Sequence, residues 1–127
     1  MKNMEELKEL FIHKIEYRGK DIFSLFLRRK GESIPIRTLN LIDCFGLEDK
    51  GIINGCINNL SFSDFGLIGS KYFFLCQRLE KKSEDYRQLW IEVIIDKSIK
   101  TELLAVCRDL VISDDINLYN PISEDKY

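Results

Sequence analysis

Short apolar runs, each closed off by charged or turn-forming residues, recur along the middle of this chain and commit it to a sheet. Residues 21–29 centre on Ile-Phe-Ser-Leu-Phe-Leu, and residues 34–41 follow after Lys30-Gly31-Glu32-Ser33 as the expected hairpin partner. Pro35 has no N–H to give a ladder, which places that partner at a sheet edge or at the start of a strand. Residues 71–79 and 88–96 are strongly apolar and β-prone. The charged link Glu80-Lys81-Lys82-Ser83-Glu84-Asp85 makes them the expected central hairpin. Residues 43–51 read as a loop, and residues 52–62 carry Gly55, Asn58 and Asn59, which weaken helix and strand alike.

Both ends show helical spacing. Asn3 can cap a first helix, with Glu6 at its third position and Leu7, Leu10, Phe11 and Ile15 along one stripe, ending near Arg18-Gly19. The same letters also alternate as a strand would, with Phe11, Ile15 and Tyr17 on one face. Towards the C-terminus, Ser98 can cap a helix with Glu102 in its first turn and Ile99, Leu103, Val106, Cys107 and Leu110 as its buried stripe. The expected fold class is therefore α+β: an antiparallel sheet of about four or five strands packed by an N-terminal and a C-terminal helix. With 127 residues the chain fits one domain, expected over 1–119, followed by a short acidic tail at 120–127. The letters show no internal repeat.

Apolar residues at 45% with charged residues at 31% give the balance of an ordinary soluble domain. No apolar run approaches the roughly 20 residues that cross a bilayer. Met1-Lys2-Asn3-Met4-Glu5-Glu6 is too acidic for a signal peptide, so the expected location is cytoplasmic, without membrane contact. Richness in Ile, Lys and Asn matches the AT-rich style of many bacterial accessory genes. Cys44, Cys56, Cys76 and Cys107 form no Cys-x-x-Cys pair, and His13 is the only histidine, so neither a metal nor another cofactor is expected. Reduced thiols packed among apolar neighbours are the expectation.

Asp64-Phe65-Gly66 spells the magnesium-holding triplet of protein kinases. No glycine-rich phosphate loop or His-Arg-Asp catalytic loop accompanies it, and residues 63–70 read as turns. A Cys-His nucleophile would need His13 beside one of the four cysteines, and no spacing selects one. Asp43, Glu48, Asp49, Asp64 and Asp96 could supply an acid/base pair, yet acidic loops are acidic because they are solvated, and the chain is expected not to be an enzyme. Arg28, Arg29, Lys30 and Arg37 could make a ridge for nucleic acid. A formal charge of −2 gives no general pull towards phosphate, and such a partner is not expected.

What remains is binding to protein. The expected function is that of a small immunity or inhibitor protein, which neutralises a toxin or effector with a basic surface by stoichiometric complex formation. Its expected contacts are Asp114, Asp115 and Tyr119 near the C-terminus and Glu84, Asp85 and Tyr86 in the charged link, with Tyr17 as a further aromatic anchor and Trp90 assigned equally to the interface or the core. The alternatives are a nucleic-acid-binding accessory protein using the basic hairpin, and a small enzyme with a carboxylate site.

Overall fold

Lys20 and Asp21 both take positive φ, 54° and 61°, and make the two-residue turn whose twist suits an antiparallel hairpin. A three-residue turn with Asp96 and Lys97 at 51° and 70° does the same further along. Around these turns the computed structural model, which describes residues 4–62 and 73–114, is built mainly of strands. After a 3₁₀ turn at Met4–Leu7 come β1 (Phe11–Gly19), β2 (Ile22–Arg28), β3 (Arg37–Ile42), β4 (Phe45–Asp49) and β5 (Cys56–Phe62). The short α1 (Phe73–Arg78) and a 3₁₀ turn at Ser83–Asp85 lead to β6 (Arg87–Ile95), β7 (Ile99–Cys107) and β8 (Asp109–Ser113).

All pairings are antiparallel, in the order β4-β7-β6-β5-β1-β2-β3-β8. The two ends of this sheet adjoin. β3 runs into β4 through Asp43 and Cys44, β7 into β8 through Arg108, and each short continuation pairs with the other long strand, β4 with β7 and β8 with β3. The sheet thus rolls up and leaves few open edges. Its topology repeats: β1 to β4 and β5 to β8 follow the same path, and each half lends its last strand to the other. The seam between the halves is thin. β1 and β5 share one register pair, Phe11 with Cys56, flanked by Ile12 N–H to Gly55 O at 3.0 Å and Ile57 N–H to Leu10 O at 2.8 Å.

Alternation fills the inside. Leu25 and Leu27, Leu39 and Leu41, Leu89, Ile91 and Val93, and Leu103, Ala105 and Cys107 all point into one core with Leu7, Ile12 and Ile57. Each fully buried Leu or Ile contributes about 1.5–3 kcal/mol of transfer free energy. On the outer side, Leu75 and Cys76 of α1 pack with Phe45, Tyr86 and Val106. Elsewhere on the outer side Ser24 Oγ donates to Asn40 Oδ1 at 2.6 Å, and Asn40 Nδ2 donates to Val111 O at 3.1 Å, tying β2, β3 and β8, while the buried Thr38 hydroxyl has no hydrogen-bond partner among the described residues.

Several sequence expectations are corrected. The fold is not α+β with terminal helices on four or five strands. It is a mainly β, eight-stranded antiparallel sheet. Residues expected as the N-terminal helix form a 3₁₀ turn and β1; the strand reading of Phe11 to Tyr17 holds, but an irregularity between Ile12 and Lys14 turns Ile12 rather than Phe11 into the core beside Ile15, and Tyr17 is exposed. Those expected as the C-terminal helix form β7 and β8. The run Leu103-Leu104-Ala105-Val106-Cys107 is apolar at every position, so it satisfies a period of two as readily as 3.6, and ladders on both sides decide for strand. Conversely, 73–78 in the expected central hairpin is helix, and β6 pairs instead with β5, from the unassigned 52–62. The expected loop at 43–51 contains β4. The β2–β3 hairpin is as expected, and Pro35 lies just ahead of the β3 start.

Candidate functional site

In β6 the buried residues Leu89, Ile91 and Val93 alternate with Trp90, Glu92 and Ile94, which therefore face outward. Register carries this face sideways. Ser61 on β5, Trp90 on β6, Leu104 on β7 and Glu48 on β4 form one row, and Asn59, Glu92 and Glu102 form the next.

Two glutamates thus stand directly opposite one another on neighbouring strands, an arrangement that repels. Each is met by donors. Asn59 Nδ2 and Asn58 Nδ2 both donate to Glu92 Oε1, at 3.0 and 2.8 Å. These two amides hold the Glu92 carboxyl below its usual range. The bulge at Asn58 brings both onto the same carboxylate oxygen. Glu102 Oε1 accepts from the Trp90 indole N–H at 2.8 Å, while its Oε2 lies 3.1 Å from Lys50 Nζ. Lys50 is fixed by its backbone: its N–H donates to Glu102 O at 3.0 Å, and its carbonyl accepts from Thr101 Oγ1 at 2.7 Å.

Lys50, Glu92, Lys100, Thr101 and Glu102 line a depression of about 300 Å³ beside the indole. A general acid needs a raised carboxyl pKa, whereas Glu92 is held in the charged form. The half-buried Trp90 ring, pinned by its N–H, offers a rigid apolar plane framed by alternating charges.

A second polar cluster sits where the chain crosses between the sheet ends. Tyr86, 1% exposed, donates its hydroxyl to Asp43 Oδ2 at 2.6 Å; Lys81 Nζ lies 3.2 Å from both Asp43 Oδ1 and the Tyr86 hydroxyl. Arg108 Nε is 3.4 Å from Asp43 Oδ2. Burial alone would raise the Asp43 carboxyl, but the Tyr86 hydroxyl, Lys81 and Arg108 together hold it below the usual range. The Tyr86 hydroxyl and Asp43 in turn raise the Lys81 ammonium. This cluster fastens the segment after α1 to the bend between β3 and β4.

The residues singled out in the sequence scatter. Glu84 and Asp85 are exposed on the second 3₁₀ turn, while Tyr86 beside them is buried in the cluster. Asp114 is exposed and pairs with Arg37 Nε at 3.0 Å; Asp115 and Tyr119 lie outside the described residues, as do the 120–127 tail and Asp64-Phe65-Gly66. The basic ridge is divided. Arg37 is engaged by Glu6 and Asp114, Arg28 lies over the Phe11 ring at 5.2 Å and donates to Asn54 at 3.3 Å, and Arg29 and Lys30 are exposed. Asp49 caps a turn through Gly51 N–H at 2.8 Å, Asp96 sits in the β6–β7 turn and Asp43 belongs to the Tyr86 cluster, so these three described acids serve separate places. Among the described residues no group of three or more His, Cys, Asp or Glu side chains is placed to hold a metal ion, and no helix is long and apolar enough to cross a membrane.

The sequence offers Trp90 as a contact residue but assigns no site role to Glu92, Glu102, Asn58 or Asn59. The usable signal was the symmetric placement of Glu92 and Glu102 about the Asp96-Lys97 turn, hidden while 98–110 read as helix. The chain matches no protein-family model, no curated protein and no solved structure, so the outward face of β5, β6 and β7 is characterised by its own geometry.

Proposed function

We infer that this protein is a protein-binding module of the immunity or inhibitor kind, acting in the cytoplasm by blocking a toxin or effector in a one-to-one complex, with the face around Trp90 as its contact surface. The observation that carries the reading is the Glu92–Glu102 pair. Two carboxylates opposed on an outward face do nothing for the core, and Glu92 is kept charged chiefly by two neutral amides, with the nearby Lys100 acting on it only through its charge. A cationic side chain from a partner, entering between them, would relieve the repulsion. Trp90 and Leu104 in the adjoining row supply the apolar centre, and the charged residues the rim, which is the anatomy of an interface hot spot. The four free cysteines fit a reducing compartment.

The test is a quantitative co-purification from the native cell with the intact chain and its Trp90→Ala variant, read by mass spectrometry. A protein recovered one-to-one with the intact chain and lost with the variant supports the reading. Recovery of that protein undiminished by Trp90→Ala, or turnover of a small molecule by the purified chain, overturns it.

A further inference from the structure

β3 meets β8 at the pair Ile42 and Asp109, and β4 meets β7 at the pair Phe45 and Val106. Counting inward from both pairs sets Asp43 opposite Arg108 and Cys44 opposite Cys107. The first opposition is visible in the ion pair between Asp43 and Arg108 at 3.4 Å. The second faces the other way: Cys44 and Cys107 are 3% and 0% exposed and belong to the same core cluster. The ladder is interrupted between those pairs, where Asp43 takes a φ of 54° and the Cys44 N–H donates to Asp21 O, but the flanking pairs hold the two bends against each other and Cys44 is close enough to help push the Cys107 thiol up; a disulfide requires Cα atoms about 4.4–6.8 Å apart. Both are free thiols.

Access exists on one side. Cys44 lines a depression of about 520 Å³ together with Tyr17, Asp21, Phe23, Phe45 and Leu47, at the tip of the β1–β2 hairpin. A small solute can reach this bend, and the thiol itself, 3% exposed, is met when the bend opens locally. Burial pushes the Cys44 thiol up to about 12, so at neutral pH it rests protonated and reacts slowly.

We propose that Cys44 and Cys107 are an oxidisable pair, a modification site at which a small two-electron oxidant joins the two bends of the sheet by a disulfide. With an azo oxidant such as diamide, the Cys44 sulfur adds across N=N and the Cys107 sulfur then displaces the hydrazine. The S–S bond forms, both thiol protons end on nitrogen, and the two electrons reduce N=N to N–N. With hydrogen peroxide the same two electrons and two protons leave as water by way of a Cys44 sulfenic acid. The bond would tie together the two places where each half of the sheet passes its last strand to the other, and it restricts the unfolded chain across a long loop.

The full chain is treated with diamide, the remaining thiols are alkylated, and peptides are mapped without reduction. The expected result is one linked pair, Cys44 with Cys107, formed intramolecularly with loss of two hydrogens, while Cys56 is alkylated. The unfolding midpoint should rise by about 10 °C and return on reduction. Cys44→Ala and Cys107→Ala should each abolish the shift, and Cys56→Ala and Cys76→Ala should leave it. Linkage through Cys56 or Cys76, or no intramolecular linkage in the folded intact chain, overturns the proposal. The map on the intact chain decides this even if a core variant fails to fold.

Discussion

Asp43 and Arg108 face each other across the two bends where the sheet closes, Arg108 Nε 3.4 Å from Asp43 Oδ2, with the Tyr86 hydroxyl on the same oxygen at 2.6 Å. Neither bend is an ordinary hairpin. Each carries one strand into a short continuation that pairs with the opposite half, so this ion pair and its phenol hold the shell where the local ladders change hands.

The pH dependence follows in sign. Asp43 has a folded pKa below its ordinary value, so its contribution is present above the ordinary carboxylate range and is lost as pH falls through the folded value, below about 4. Asp43→Asn keeps a residue that tolerates the φ of 54° at this position. Urea unfolding should show the variant less stable by about 1 kcal/mol at pH 7, with the gap narrowing towards pH 3. A gap of equal size at both pH values would refute the assignment.

Tyr86→Phe tests the phenol alone. The ring keeps its edge contact with Phe45, centroids 5.1 Å apart, while Asp43 and Lys81 both lose a partner. A loss of about 1–3 kcal/mol is expected, as for hydrogen bonds to charged groups. The denaturation midpoint at unchanged slope reads it.

The seam between β1 and β5 depends on Gly55. A Cβ at this position would lie 2.8 Å from Val93 Cβ and closer still to its Cγ2. Gly55→Ala should therefore destabilise by about 1–3 kcal/mol through overpacking. Val93→Ala, which removes the Cγ2 contact, should cost less in the Gly55→Ala background than in the intact chain, a less-than-additive loss in a double-mutant cycle. Additive losses would show that the strain lies elsewhere.

At the outward face, Trp90→Ala should weaken the proposed complex by about 2 kcal/mol or more, roughly 30-fold in Kd. Trp90→Phe, which keeps an apolar plane but frees the Glu102 oxygen, should fall between. Glu102→Gln should chiefly change the salt dependence of association, measured by surface plasmon resonance at low and moderate ionic strength. Equal affinity for all three variants would remove this face from the interface.

Much of the strand inventory was legible because it is local. The β2–β3 pairing follows from two apolar runs joined by Gly31 and Pro35, and β6 declares itself by the alternation of Leu89, Ile91 and Val93 with Trp90 and Glu92. The candidate site was legible only in Trp90. Its acids come from β6 and β7, and its amides from a bulge in β5, so no window of sequence contains it.

The letters alone determined where the chain can extend and where it must turn, because turn chemistry and apolar alternation act within a few residues. They could not choose between strand and helix for Leu103 to Cys107, where every residue is apolar, nor for 73–78, where β-prone letters form a helix packed against Tyr86 and Val106. Those choices belong to partners far away in sequence. β4 settles β7 from one side, and β3 settles β8, because backbone groups buried in a sheet must find ladders and only the closed topology provides them.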